Sequence, residues 1–258
     1  MKLLSPHSVL VTGSNRGIGL EIVRQLARKS NRQQWIFATC RDPEGPRAQT
    51  LKNLAAKHQG LVIIPLDVSD PSSVKAAAAQ VTEQLKGAGL NLLINNAGIG
   101  NLGNLETATP EQMSEVYQTN VVGPLMVSQA FLPLLKKASQ ESKEKGMSCS
   151  KAAIVNISSR MGSITNVVEW DSVPIVPYRC SKAALNMLTR CMSLGFAEDK
   201  ILCIALHPGW VQTDMGNTVT QAPMTVDGNV QEILSTLGQL SEKDTGMFMS
   251  WDGKPLAF

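Results

Sequence analysis

The stretch Val9-Leu10-Val11-Thr12-Gly13-Ser14-Asn15-Arg16-Gly17-Ile18-Gly19 indicates the fold of this 258-residue chain. A short apolar run, typical of a buried strand, leads into a glycine-rich turn, and apolar residues then recur at helical spacing. These residues are Leu20, Ile22, Val23, Leu26 and Ala27. A strand, a glycine-rich turn and a helix in this order predict the first unit of a doubly wound α/β sheet that binds a dinucleotide.

The three glycines have separate physical roles in such a turn. Gly13 permits the sharp turn, Gly17 lets the backbone approach a pyrophosphate, and Gly19 lets the helix pack closely on the sheet. The free N–H groups at the start of the helix bind phosphate. A glycine turn alone is a weak signal, and its position on the first strand strengthens it.

Further apolar runs alternate with helical patterns along the rest of the chain. Strands are predicted at 34–40, 61–66, 90–94, 152–157, 201–206 and 246–251, and helices from 71 to about 86, from 109 to about 137, and from 178 onward. The charged stretch 136–151 is predicted to be an exposed loop. Because the strands are continuously apolar, the pattern is typical of a parallel sheet covered on both faces. We therefore expect a single Rossmann domain over residues 1–258, with about seven parallel strands and helices on both faces.

Composition excludes several classes of function. The net charge is +3, and the basic residues are scattered rather than clustered with aromatics, which argues against a nucleic-acid or membrane partner. Five cysteines show no metal-ligand spacing and predict no metal site or disulfide framework. The longest apolar segment, 121–135, is too short and too interrupted to span a membrane, and residues 1–7 do not have the pattern of a signal peptide. These observations predict a cytoplasmic protein.

A second motif, Tyr178-Arg179-Cys180-Ser181-Lys182, has the chemistry of a general acid. Tyr178 and Lys182 are four positions apart, so both lie on one face if this segment is helical. A neighbouring ammonium would favour the phenolate and lower the pKa of Tyr178. The alternative is a chance pair on a solvated helix face.

Together the motifs resemble the short-chain dehydrogenase/reductase family over nearly the whole chain. They are T-G-x-x-x-G-x-G at 12–19, D-V at 67–68, N-N-A-G at 95–98, Asn120, Ser159, Y-x-x-x-K at 178–182 and P-G at 208–209. Each motif is weak alone, but the ordered set is very specific. Basic residues at 16 and 41 and the short carboxyl terminus most resemble the carbonyl-reductase branch, in particular its sniffer and C-factor subgroup.

The resemblance implies NADPH-dependent reduction of a carbonyl compound. Ser159 fits the family pattern S-x-x-G better than Ser158, because Gly162 follows it by three residues. Ser159 and Tyr178 would hydrogen-bond the substrate carbonyl, and Tyr178 would donate the proton. Lys182 would lower the pKa of Tyr178 and hold the nicotinamide ribose, and Asn120 would anchor a water that relays protons to Lys182. A catalytically idle NADP(H)-binding protein that acts through a partner is the rival hypothesis.

The same resemblance implies a set of cofactor-binding residues. They are Gly13, Asn15, Arg16, Gly17, Ile18, Gly19, Arg41, Asp67, Val68, Asn95, Ala97, Gly98, Tyr178, Lys182, Pro208, Gly209, Val211 and Thr213. Asp67 and Asn95 could instead be helix or turn caps. His207 is expected to serve packing rather than catalysis.

Arg16 and Arg41 predict a preference for NADPH over NADH, because an arginine at these places accommodates the extra phosphate. Two alternatives stay open. Both arginines could be merely solvated, or Asp42 rather than Arg41 could face the ribose, which would reverse the preference.

The 19-residue gap between Ser159 and Tyr178 is several residues longer than is usual in the family. Its apolar residues predict a loop, 160–177, over the substrate site, and Trp210, Met215 and Met224 could face it. A bulky apolar or aromatic carbonyl substrate would suit such a site, although a satellite core that never touches substrate is the alternative.

The helix that carries Tyr178 has apolar residues on more than one face. These are Leu185, Met187, Leu188, Cys191, Met192 and Leu194. This surplus predicts a homodimer through the helices that carry Asn120 and Tyr178.

Overall fold

Strand β1 (Ser8–Val11) lies inside an eight-stranded sheet in the computed structural model, which describes residues 3–29, 34–100, 102–218 and 221–258. Residues 1–2, part of the predicted amino-terminal segment, lie outside the described residues. The other strands are β2 (Trp35–Cys40), β3 (Leu61–Pro65), β4 (Leu92–Asn95), β5 (Ala153–Ile157), β6 (Leu202–His207), β7 (Phe248–Ser250) and β8 (Pro255–Leu256).

The strand order is β3-β2-β1-β4-β5-β6-β7-β8, and β1 to β7 are parallel. This confirms the predicted doubly wound sheet with seven parallel strands. The two-residue β8, which was not predicted, pairs antiparallel with β7. Chain order reverses between β1 and β4, so a crevice opens beyond the carboxyl ends of these strands.

Helices cover both faces of the sheet, as expected. They are α1 (Gly17–Lys29), α2 (Gln49–Ala55), α3 (Pro71–Leu85), α4 (Pro110–Tyr117), α5 (Gly123–Glu141), α6 (Val176–Gly195) and α7 (Val226–Gln239). One apolar cluster joins the sheet to α1, α2 and α7, through residues such as Ile22, Leu51 and Ile233. A second cluster joins the opposite face to α3, α5 and α6, through residues such as Val74 and Phe131. The sequence pattern did not identify α2 and α7.

The long helix predicted from residue 109 differs from the prediction in two ways. It is interrupted by a π-helical segment, Gln118–Val122, between α4 and α5. It also continues to Glu141, so the predicted exposed loop 136–151 is wrong over its first six residues. Ala138 explains the extension, because it is buried against the backbone of Gly89, where a Cβ would come within 2.2 Å of the Ala138 nitrogen.

Within the described ranges, no helix is long and apolar enough to cross a membrane.

Candidate active site

The glycine turn joins the ends of β1 and β4 and forms the floor of a long cleft. Gly13 has φ of +65°, and a Cβ there would lie 2.9 Å from the Cα of Ala97. The hydroxyl of Thr12 accepts hydrogen bonds from the backbone N–H groups of Asn96 and Ala97, both at 3.0 Å. Gly19 packs still closer, because a Cβ there would lie 2.4 Å from the carbonyl oxygen of Gly13. Only glycine fits at 13 and 19.

The long cleft, about 610 Å³ in volume, gathers most of the predicted cofactor residues. Its walls include Gly13, Asn15, Arg16, Gly17, Ile18, Arg41, Asp67, Val68, Ala97, Gly98, Tyr178, Lys182, Pro208 and Thr213. Gly209 and Val211 line an adjoining pocket instead. Asp67 borders the cleft and also accepts a hydrogen bond from the Ser69 N–H at 2.9 Å, so its capping role is present as well.

Asn95 does not line the long cleft, contrary to the prediction from the sequence. Its side chain is only 3% exposed, and its amide nitrogen donates to Asn156 Oδ1 at 2.8 Å and to the hydroxyl of Ser128 at 3.2 Å. Asn95 is therefore a cross-strand residue inside the sheet. The next residue, Asn96, borders the cleft and donates to the carbonyl oxygens of Thr12 and Gly13.

Basic side chains collect at one end of the long cleft, where β1 and β2 end. Arg16 forms an exposed ion pair with Asp214 at 2.9 Å. Asp42 faces its own turn, since its Oδ1 accepts from the N–H groups of Glu44 and Gly45. Arg41 and Asp42 are both exposed and both border the cleft at the end of β2.

Arg47 also lines this end of the cleft and was missed in the sequence. It lies in a short 3₁₀ turn, Pro46–Ala48, that no motif marks.

Tyr178 and Ser159 meet where the long cleft adjoins the second pocket. Burial raises the pKa of Tyr178 to about 12, and a hydrogen bond with the Ser159 side chain acts in the opposite direction. The pKa of Tyr178 is therefore raised, whereas the sequence predicted that Lys182 would lower it. The phenol stays protonated at neutral pH.

Lys182 is 5% exposed, and burial lowers its pKa to about 8. Its Nζ donates to the carbonyl oxygen of Ile157 at 2.7 Å and lies 5.4 Å from the centre of the Tyr178 ring. The helix α6 thus brings both side chains to one face, as their spacing predicts.

Asn120 makes three side-chain hydrogen bonds. Its oxygen accepts from the N–H of Ile99 at 2.9 Å, and its nitrogen donates to the Ile99 carbonyl and the Ser181 hydroxyl at 2.9 and 3.0 Å. Both amide hydrogens are used, so the side chain has no donor left for the predicted water. It fixes the chain after β4 against α6.

The second pocket, here called the apolar pocket, holds about 210 Å³ beside Ser159 and Tyr178. From the segment 160–177 it takes Arg160, Met161, Glu169, Val173 and Ile175, and from the segment after β6 it takes Trp210 and Met215. The long loop thus lines the pocket that Ser159 and Tyr178 also line. Ile164 and Val167 are exposed, and Met224 lies outside the lining.

Arg179 holds this loop in place from the start of α6. Its guanidinium, in a residue that is 8% exposed, donates to the carbonyl oxygens of Val168, Glu169 and Val173 at 2.8, 3.2 and 2.9 Å. Glu169 has φ of +55° and pairs with Arg160. No motif in the sequence indicated these contacts.

His207 lines the apolar pocket, although the sequence indicated only a packing role. It is 9% exposed, and burial lowers its pKa to about 4, with the positive charge of Arg160 acting in the same direction. The sequence did offer one signal for a place in the site, because His207 ends a strand and directly precedes the motif Pro208-Gly209.

In the described part of the chain, no group of three or more His, Cys, Asp and Glu side chains is placed to hold a metal ion.

Comparisons with known proteins identify similar sequences and structures. A profile of the short chain dehydrogenase family matches residues 7–223. The NADPH-bound carbonyl reductase from chicken fatty liver is 58% identical, with a TM-score of 0.95 over 99% of this chain and 100% of that one. The carbonyl reductase Sniffer of Drosophila melanogaster is 37% identical, with a TM-score of 0.92 over 98% and 100%.

A curated relative points the same way. An uncharacterised oxidoreductase of Schizosaccharomyces pombe is 31% identical over 96% of each chain. The chain therefore belongs to the short chain dehydrogenase family, in its carbonyl-reductase branch.

Proposed function

We propose that this protein reduces aldehydes, ketones or quinones with NADPH, with Tyr178 as the general acid. One observation supports this most strongly. Tyr178 borders both the long cleft and the apolar pocket, so a cofactor in one and a substrate in the other would meet at this residue.

The residues of the long cleft fit a dinucleotide. Gly13 and Gly17 have positive φ and carry no side chain, so the backbone at the start of α1 can approach a phosphate closely. The basic end of the cleft suits a phosphate, and the 58%-identical chicken carbonyl reductase was crystallised with NADPH. When bound, NADPH supplies the hydride that reduces the carbonyl carbon.

The chain's own residues supply the rest of the chemistry. Ser159 and Tyr178 hydrogen-bond the carbonyl oxygen, and this orients the substrate and polarises its C=O bond. Tyr178 then gives its proton to that oxygen. The proton is available because the raised pKa of Tyr178 keeps the phenol protonated before the reaction. Lys182, fixed by the Ile157 carbonyl, holds a positive charge near the phenolate that forms.

The preference for NADPH over NADH rests on Arg16, Arg41 and, in addition, Arg47. The extra phosphate carries nearly two negative charges, and a charge-assisted hydrogen bond contributes about 1.5 to 3 kcal/mol. The Arg16–Asp214 pair is exposed on both sides, so its rearrangement costs little. Asp42 borders the cleft too, but its Oδ1 is engaged by its own turn, which favours Arg41 as the partner of the phosphate.

The direct test is NADPH oxidation by the purified protein with a panel of quinones and aromatic aldehydes. We expect turnover with several of them and a loss of turnover in Tyr178→Phe. Binding of NADPH without oxidation of any panel member would favour the rival, an idle NADP(H)-binding protein.

We also propose that the protein is a cytoplasmic homodimer. On α6, Leu185 and Met192 are buried against the sheet, whereas Met187 and Leu194 are 64% and 66% exposed. Tyr117 at the end of α4 is exposed as well. Such an apolar patch is typical of a protein interface.

Light scattering at micromolar concentration tests the dimer. We expect twice the monomer mass, and the monomer mass for Leu194→Glu. The control is Leu3→Glu, because Leu3 is exposed as well, at 77%, and lies away from α6. A monomeric unmodified protein would refute the dimer.

A further inference from the structure

We propose that Asn186 on α6 is a positioning residue that sets the place of Ser159 relative to Tyr178. Asn186 lies one helical turn beyond Lys182, is 2% exposed, and lines neither the long cleft nor the apolar pocket. The inference rests on the proposed reductase function, because it concerns how two side chains come to share one substrate oxygen.

Ser159 caps a short 3₁₀ turn, Arg160–Gly162, here called the serine turn, which packs on α6. The Ser159 hydroxyl accepts from the N–H of Met161 at 3.2 Å, and the N–H of Gly162 donates to the Ser159 carbonyl oxygen at 2.9 Å. A Cβ on Gly162 would lie only 2.6 Å from the carbonyl carbon of Lys182. The serine turn therefore rests directly on the backbone of α6, and a slide along the helix would move the Ser159 hydroxyl.

The side chain of Asn186 binds the chain on both sides of Ser159. Its Oδ1 accepts from the hydroxyl of Ser158 at 2.6 Å, and its Nδ2 donates to the carbonyl oxygen of Gly162 at 3.3 Å. Ser158 is 1% exposed, so water cannot replace either contact if the amide is lost. One amide thus ties both ends of the serine turn to one point of α6.

Tyr178 is carried by the same helix, eight positions before Asn186. Because an α-helix is regular, the distance along α6 between these two residues is fixed. The amide transfers this fixed distance to Ser159, whose side chain is hydrogen-bonded with Tyr178. A substrate oxygen can accept from both hydroxyl groups only if their separation is held, and donors that are positioned in advance stabilise the transition state most.

The experiment is a double-mutant cycle on kcat, measured with the panel compound that the unmodified protein reduces fastest. Asn186→Leu keeps the approximate size of the side chain and removes both contacts, and it is measured alone and together with Ser159→Ala. A residue that acts through Ser159 has less to lose once that hydroxyl is gone, whereas a general weakening of the fold lowers kcat equally in both backgrounds. If Asn186→Leu fails to fold, Ser158→Ala, which removes one of the two contacts, replaces it with the same limits.

We expect Asn186→Leu to lower kcat by about fivefold or more. One donor to a developing oxyanion contributes about 10² to 10³ in kcat, and a displaced donor loses part of this contribution. When Ser159→Ala is already present, the loss should be smaller by about threefold or more.

The matched control is Thr189→Val, which removes another buried hydrogen-bonding group from α6. The Thr189 hydroxyl is fully buried, donates to the Leu185 carbonyl oxygen and accepts from the Asn156 amide, both at 2.8 Å. These partners lie outside the serine turn, so kcat should stay within about twofold of the unmodified protein.

A smaller loss than these limits in Asn186→Leu, a similar loss in both backgrounds, or an equal fall of kcat in Thr189→Val would each overturn the inference. These outcomes leave the proposed function intact, because that function fails only if the unmodified protein reduces no carbonyl compound in the panel.

Discussion

The long cleft and the apolar pocket share Tyr178 but differ in what forms their walls. The cleft is built on the main chain. Its floor is the turn at Gly13 and Gly17, and Thr12 ties the ends of β1 and β4 by two hydrogen bonds to backbone N–H groups. The pocket is built on side chains of two segments, the loop 160–177, which Arg179 holds by its carbonyl oxygens, and the segment after β6. A wall formed by the backbone requires particular residues such as glycine, whereas a wall formed by side chains can be built from many different residues.

The largest effect is expected at Tyr178, where the two regions meet. Tyr178→Phe keeps the ring in place and removes the proton that the proposed reaction needs. General acid catalysis contributes about 10² to 10⁴ in rate, so turnover should fall by that factor. Fluorescence titration should give an unchanged Kd for NADPH. Near-normal turnover would show that Tyr178 does not supply the proton.

The same contrast explains which parts of the fold and site the sequence could predict. Gly13 and Gly19 are required by backbone geometry, so their motif predicted β1, α1 and the cleft. The spacing of Tyr178 and Lys182 predicted one helix face because helical geometry is regular.

Contacts between distant segments carry no such local pattern. The helix α5 runs past Lys137 because Ala138 packs on Gly89, and the loop 160–177 is held by a buried guanidinium. Asn95 turned inward to Asn156 for the same kind of reason, a partner on the neighbouring strand β5.

A charge reversal at the basic end of the cleft tests whether the cleft acts independently of the pocket. In Arg41→Asp the phosphate would lose a cation and face an anion, so we expect KM for NADPH to rise at least tenfold. KM for NADH should change little or fall, and KM for the carbonyl substrate should not change.

The matched control is Lys243→Asp, which makes the same change in charge at an exposed turn before β7, at the other end of the sheet. If the unmodified protein uses NADH with the same efficiency as NADPH, Arg16 and Arg41 do not select the cofactor.

His207, which lines the apolar pocket, makes the stability of the fold depend on pH. Its pKa is about 4 in the folded protein against an ordinary 6.5, so between these values the unfolded chain binds a proton that the folded one excludes. Stability is therefore unaffected by this group above about pH 6.5 and falls on acidification. From pH 7 to pH 5 the cost is about 2 kcal/mol in the free energy of unfolding.

Urea unfolding at both pH values measures this cost. We expect His207→Gln to lose about 2 kcal/mol less than the unmodified protein on acidification. The exposed His7 provides the control variant, His7→Gln, which should lose as much as the unmodified protein. Equal losses in all three proteins would mean that His207 is not shielded from protons.

The smallest effect is expected from Arg179→Lys, which separates the two regions most directly. Lysine keeps the positive charge but lacks the fork that reaches the carbonyl oxygens of Val168, Glu169 and Val173 together. Each lost hydrogen bond is worth about 1 kcal/mol. The loop should therefore be less ordered in the free protein, and part of the binding free energy of the substrate would be used to order it. We expect KM for a bulky aromatic aldehyde to rise about fivefold, with kcat within about twofold, because Ser159 and Tyr178 stay in place.

Kd for NADPH should not change, since none of the three carbonyl groups borders the long cleft. If Kd for NADPH rose in parallel with KM, the loop would support both sites, and the apolar pocket could not be treated as a separately built region.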